Sequence, residues 1–264
     1  MKKLAALFVA ALASATLACG CVASGTETPP PADAPDPFDF AGNTVNPEIV
    51  IDGNNNDELW NEESVTHTKF SSCDVSILRR PNAIYMYFKV KDVTPYSYVN
   101  QGAADEVTHS DSIEFYFDTN LAARPNRVYE PGKPESLANC YQVNLGRDSR
   151  TRILSGSGTI WYEWAAMYTF EVREGFGDDE EYYFVEAMLP ITQMNIGADD
   201  DIGIAFGLVD RTNEENQDLA THYTWSGMTV GGTFIDPQHP SLYLVLKADG
   251  GDLLTYEQYQ SGKA

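Results

Sequence analysis

The chain has 264 residues, and 39 acidic against 17 basic side chains give it a net charge of −22. No cluster of Lys and Arg is available to meet a phosphate backbone, so nucleic acid is not an expected partner. The same acidity suits a solvated domain outside the cell, and it supplies oxygen atoms of the kind that Ca²⁺ takes as ligands.

At the N-terminus, Lys2 and Lys3 precede an unbroken run of apolar and small residues from 4 to 18. About fifteen such residues fall short of the ~20 that cross a bilayer as a helix. A short apolar run behind a basic start reads as a secretory signal, residues 1–18. Thr16-Leu17-Ala18-Cys19-Gly20-Cys21 resembles a lipobox, although Thr16 or Ala18 stands where a leucine is usual. Cys19 or Cys21 is then the lipid anchor, holding the chain on a membrane surface without spanning it. The alternative is an ordinary signal that leaves stray cysteines. Either way the chain is expected to be exported, as a surface lipoprotein or as a secreted periplasmic or extracellular protein. Residues 22–46 include Pro29-Pro30-Pro31 and are rich in Ala, Asp and Thr. Such a segment buries too little apolar surface to order itself and reads as a tether.

Residues 47–248 carry the folding signal, which is alternation with period two. Ile84, Met86, Phe88 and Val90 alternate with Tyr85, Tyr87, Lys89 and Lys91. Ile113, Phe115 and Phe117 alternate with Ser112, Glu114, Tyr116 and Asp118, and Tyr141, Val143 and Leu145 with Gln142 and Asn144. Similar runs follow at 183–189, 202–208 and 242–246. Gly, Pro, Asn and Asp between them suit turns. Helical signals are limited to turns at 57–62 and after Pro190. The pattern predicts an all-β fold, a two-sheet antiparallel β-sandwich with immunoglobulin-like layering. Residues 249–264 read as a polar tail.

If Ile113, Phe115 and Phe117 face the core, Glu114 and Tyr116 face outward, as do Gln142 and Asn144 on their strand. Should those strands be neighbours, a carboxylate, two amides and a phenol share one open surface, the mixture that a polyol ligand needs. A plain solvated strand face is the other reading. Cys73 and Cys140 could pair in an oxidising compartment, and nothing in their spacing shows that they meet. His67, His109, His222 and His239 are scattered without zinc-ligand spacing. No G-x-S-x-G, phosphate-binding glycine loop or recognisable pair of catalytic carboxylates is present, so no catalytic centre is expected.

The stretch Ile51-Asp52-Gly53-Asn54-Asn55-Asn56-Asp57-Glu58-Leu59-Trp60 resembles the opening of the family 9 carbohydrate-binding modules. AIYMYFKVKD at 83–92, DSIEFYFD at 111–118 and YYFVEAMLPITQMNIG at 182–197 are similar to later elements of that family, in order. Residues 202–210, Trp225-Ser226 and Phe234-Ile235-Asp236-Pro237 resemble the segments that close it. The resemblance covers nearly all of 47–248. It implies a jelly-roll sandwich that binds carbohydrate without catalysis, as in plant-type polysaccharide catabolism (xylan or cellulose), and that often carries structural Ca²⁺.

Carried over by position, Glu114 matches a ligand-binding glutamate, Gln142 stands where an arginine is expected, and Asn144 lies beside them. Phe234 takes the place of one tryptophan of a sugar clamp, while the other position falls near Thr108 and lacks an aromatic ring. Trp161 and Tyr162 offer a replacement platform or pack at a sandwich edge. Asp57, Asp92 and Asp111, at strand ends, are the expected Ca²⁺ ligands. Related sandwiches of the DOMON type hold haem, with Met86, Met167 or Met188 as the methionines in question, and a surface scaffold with a decayed sugar site is a further alternative.

Overall fold

The computed structural model describes residues 50–70, 72–92, 94, 110–147, 151–163, 169–175, 181–211, 221–225, 229–230, 233–234 and 238–262. The signal segment, Cys19, Cys21, the tether, Thr108, Trp164 and Met167 lie outside them.

Alternating β-branched and aromatic residues form pleated strands because one side of each strand can be buried while its backbone pairs laterally. In chain order the strands are β1 (Thr66–Phe70), β2 (Cys73–Arg79), β3 (Ala83–Lys91), β4 (Ser112–Asp118), β5 (Cys140–Gly146), β6 (Thr151–Ser157) and β7 (Ile160–Glu163). They continue as β8 (Thr169–Gly175), β9 (Tyr182–Pro190), β10 (Ile202–Arg211), β11 (Thr221–Trp225), β12 (Thr229–Val230), β13 (Thr233–Phe234) and β14 (Leu244–Leu246). One sheet has the order β1-β2-β3-β9-β8 and the other β11-β10-β4-β5-β6-β7, with β14 also on β10. Every pairing in these two sheets is antiparallel. The chain changes sheet between β3 and β4, between β7 and β8, and between β9 and β10. The protein is therefore a two-sheet antiparallel β-sandwich.

The inward residues of both sheets make one core, including Val75, Ile77, Ile84, Met86, Phe88, Ile113, Phe115, Phe117, Val185 and Phe206. Rings cross between the sheets: Phe88 stacks on Phe115 at 6.0 Å and Phe70 on Phe206 at 5.8 Å. Each such buried side chain stabilises the sandwich by roughly 1.5–3 kcal/mol. The turns expected at 57–62 and after Pro190 are both 3₁₀ turns, Glu58–Asn61 and Ile191–Met194.

Two expectations change. Alternation predicts one covered and one open face, yet β4 is buried along its whole length. The outward side of the five-stranded sheet is covered by Leu59, Trp60 and Val65, which pack on Tyr85, Tyr87 and Met188. On the seven-stranded sheet Tyr243 and Trp161 pack on Tyr116 and Ala205. Periodicity within one strand carries no information about connections that return over it.

Residues 249–262, expected as a polar tail, instead belong to the fold. Val245 and Leu254 exchange backbone hydrogen bonds at 2.7 and 3.1 Å. Gly250, at φ 81°, lets the backbone approach Ser64 so closely that a Cβ there would lie 2.1 Å from the Ser64 carbonyl oxygen. The helix α1 (Tyr256–Ser261) is opened by a Thr255/Gln258 capping box and buries Tyr259 against Leu121 and Val245.

Candidate functional site

The antiparallel register brings the expected polar residues of β4 and β5 side by side. Glu114 stands opposite Asn144, and Tyr116 opposite Gln142. On the other flank β10 places Gly207 opposite Glu114 and Ala205 opposite Tyr116, and both small residues are buried. Asn144 faces Arg152 on β6, and Gly156 of β6 faces Trp161 on β7.

Glu114 is the hub. Its Oε2 accepts a 2.9 Å hydrogen bond from the Tyr116 hydroxyl, and Oε1 accepts one from Asn144 Nδ2. Only 2% of Glu114 is exposed, and Asn144 is wholly buried with no partner for its Oδ1 among the described residues. Burial pushes the Glu114 carboxyl up to about 7, while the hydrogen bonds from Tyr116 and Asn144 and the positive charge of Arg152 pull the other way. The Tyr116 ring packs against Trp161, at 6.1 Å, and Tyr243, at 6.3 Å. Glu114 and Asn144 thus form a buried polar floor, with half-buried Gln142, Arg152 and Trp161 around it.

Trp161 belongs to this face through Tyr116, whereas Tyr162 is 53% exposed. Phe234 lies on β13, paired with Thr229 of β12, and its side chain is outside the described set. Trp225 is opposite Gly207 in register, with its side chain likewise outside that set. Arg152 escaped the sequence reading. Its signal was the short alternation of Thr151, Arg152, Ile153 and Leu154, a strand of only modest apolarity.

The Ile51-Asp52-Gly53…Trp60 motif meets a different glutamate. Glu186, on β9, accepts hydrogen bonds at Oε2 from the Asp52 and Gly53 amides, at 2.8 and 2.9 Å, and at Oε1 from the Trp60 indole, at 3.1 Å. Gly53 has φ 75°, a conformation that lets two consecutive N–H groups converge on one oxygen. Glu186 has no exposed surface, and burial pushes its carboxyl up to about 7 against these hydrogen bonds.

Of the three expected metal ligands, Asp92 and Asp111 are brought to one cation, and Asp57 lies on a different segment. Asp92 and Asp111 both approach Arg147, whose Nη1 lies 3.4 and 3.7 Å from them, and all three side chains are buried. The guanidinium supplies the positive charge that two buried carboxylates require. Asp57 instead precedes the Glu58–Asn61 turn without a side-chain capping hydrogen bond, and its Oδ2 accepts from the Val50 amide at 3.4 Å. Among the described residues no group of three or more His, Cys, Asp or Glu gathers in an arrangement that could hold a metal ion. Cys73 and Cys140 are both buried and free. Met86 is packed in the core, and Met188 in the layer beneath Trp60.

No family model matches this sequence, and no curated protein matches it. Among solved structures, the chain is similar to a family 9 carbohydrate-binding module from Caldicellulosiruptor kristjanssonii in complex with glucose. Identity is 16%, the match covers 75% of this chain and 90% of that one, and the TM-score is 0.48. The structure of a family 9 module from the same organism with cellotriose matches at 16% identity, covering 78% and 89%, with a TM-score of 0.46.

Proposed function

We propose that this chain is a non-catalytic carbohydrate-binding module that works outside the cytoplasm, exported by residues 1–18 and held at the cell surface through Cys19 or Cys21. The observation that carries the reading is the Glu114 network. A carboxylate, an amide with an unpartnered oxygen, a guanidinium and an indole stand together on the outward side of one sheet. Carboxylate and guanidinium groups can each take two adjacent hydroxyls, and the amide both donates and accepts. The indole offers an apolar face to the C–H side of a sugar ring. Half-buried Gln142, Arg152 and Trp161 meet the ligand first, and the unpaired Asn144 Oδ1 is left to accept from a hydroxyl that reaches the floor. The ordered motifs resembling family 9 modules support the same ligand class, with oligosaccharides of the cellulose or xylan type as the first to test.

Calorimetry with cello- and xylo-oligosaccharides tests the proposal. Saturable binding that is lost in an Arg152→Ala, Trp161→Ala double variant is expected. Absence of binding to any glycan, or full affinity in that variant, would remove the assignment.

A further inference from the structure

Two hollows flank the turn at 199–201, at the end of the sandwich where β4 finishes and β10 starts, and both are lined by Asp199 and Asp201. The larger, about 600 Å³, lies between this turn, the residues after β4 and the helix α1, with Asn120, Tyr256, Tyr259 and Gln260 in its wall. The smaller, about 460 Å³, lies on the other side and is lined in part by Arg79 and Lys247. Both volumes fall in the range of small-molecule sites, roughly 300–1,000 Å³. Glu114 sits four residues from the end of β4 that borders the larger hollow, roughly 13 Å away along a strand. The two sites are therefore separate.

The wall chemistry selects the occupant. No Lys or Arg is among the described residues that line the larger hollow, and three aspartates are, so an anion is disfavoured. Two of those carboxylates are already engaged: Asp200 accepts from the Gly197 amide at 2.7 Å, and Asp201 from the Ala248 amide and the Tyr259 hydroxyl at 2.9 and 2.8 Å. That leaves a poor set of ligands for a metal ion. What remains is a half-buried tyrosine ring, fixed by the Arg124 guanidinium 5.0 Å from its centre, beside the side chains of Asn120, Asp199 and Gln260. Behind the turn, Arg79 is 5% exposed and donates to the Gly197 and Asp200 carbonyls, which holds the turn in place.

We infer that the larger hollow is a second site for a neutral oligosaccharide, with a sugar ring against Tyr256 and hydroxyls toward Asn120, Asp199 and Gln260. The inference takes its ligand class from the proposed function, while its location is independent of the Glu114 face. Two sites on one domain would hold a polymer by avidity, each being weak alone.

The test is an amide NMR titration of the full chain with cellotetraose and xylotetraose, and with Ca²⁺ alone as a cation probe. Saturable shifts are expected at Asn120, Asp199, Tyr256 and Gln260. Tyr256→Ala and Asp199→Ala should each weaken them roughly fivefold or more, with shifts on the Glu114 face unchanged. Movement only on the Glu114 face would overturn the second site alone. Movement only in the hollow would uphold it and sink the Glu114 reading, and movement at neither would sink both. A Ca²⁺ response at these residues without a sugar response would also overturn the inference, in favour of a cation site.

Discussion

Glu114 lies on the outward side of the seven-stranded sheet and Glu186 on the outward side of the five-stranded one. They are 2% and 0% exposed, and burial pushes both carboxyls up to about 7. Their partners differ. Glu186 is held by two backbone amides and an indole from the segment that precedes β1, donors committed to closing that segment onto the sheet. Glu114 is held by the side chains of Tyr116 and Asn144, next to an amide oxygen with no partner among the described residues and near a charged guanidinium. A buried carboxylate closed by main-chain donors is a structural fastening, whereas one set among side-chain donors with spare capacity can exchange partners with a ligand. Burial and a displaced pKa alone would not have separated the two.

The largest expected effect tests the fastening. Glu186→Ala leaves the Asp52 and Gly53 amides and the Trp60 indole without their acceptor, and should destabilise the fold by about 3–5 kcal/mol. At roughly 2–4 °C per kcal/mol the melting temperature should fall by about 6–20 °C, with glycan affinity of the folded protein unchanged. A loss of affinity without a loss of stability would reverse the roles assigned to the two glutamates.

Next, Glu114→Gln should leave the melting temperature within a few degrees of wild type and weaken glycan binding about tenfold, which is ~1.4 kcal/mol. Calorimetry with the oligosaccharide that wild type binds best gives the readout.

The third prediction concerns pH. Each carboxyl has an ordinary value of 4.5 and a folded value near 7, so between these limits the folded chain retains protons that the unfolded chain has lost. Stability contributed in this way is complete below about pH 4.5 and is lost as pH rises toward 7, by up to ~1.4 kcal/mol per pH unit for each group. Denaturant midpoints between pH 4.5 and 7.5 should fall in wild type and fall less steeply in Glu114→Gln. A midpoint that rises across this window would contradict the buried setting of both groups.

The smallest effect sharpens the Glu114 side. Tyr116→Phe removes one hydrogen bond to the carboxylate and should cost about 1 kcal/mol. The Glu114 titration should move upward, because a donor that favours the charged form is gone. Carbon-detected NMR of the side-chain carboxyl would follow it, and an unchanged titration would mean that this hydrogen bond does not tune Glu114.

How much could be read beforehand differs between the two regions. The Glu114, Gln142 and Asn144 grouping was legible because β4 and β5 alternate cleanly and are joined within one sheet, so one residue of register fixes every outward neighbour. Arg152 and Trp161 were harder, since β6 and β7 alternate weakly and only their pairing brings them to the same face. The partnership of Asp52, Gly53 and Trp60 with Glu186 spans more than 120 residues, and no local pattern announces a contact at that separation.

From the sequence alone came the all-β class, most of the strands, the inward residues of the core and the outward direction of Glu114. Local alternation and turn chemistry decide these, and both are properties of short segments. Tertiary structure alone decided that the outward faces are covered and that residues 249–262 are packed into the domain. It also set Arg147 between Asp92 and Asp111, and made one buried glutamate a fastening and the other a candidate binding group. Those outcomes depend on which distant segments return over a sheet and which donors they carry, and that is settled only when the chain closes on itself.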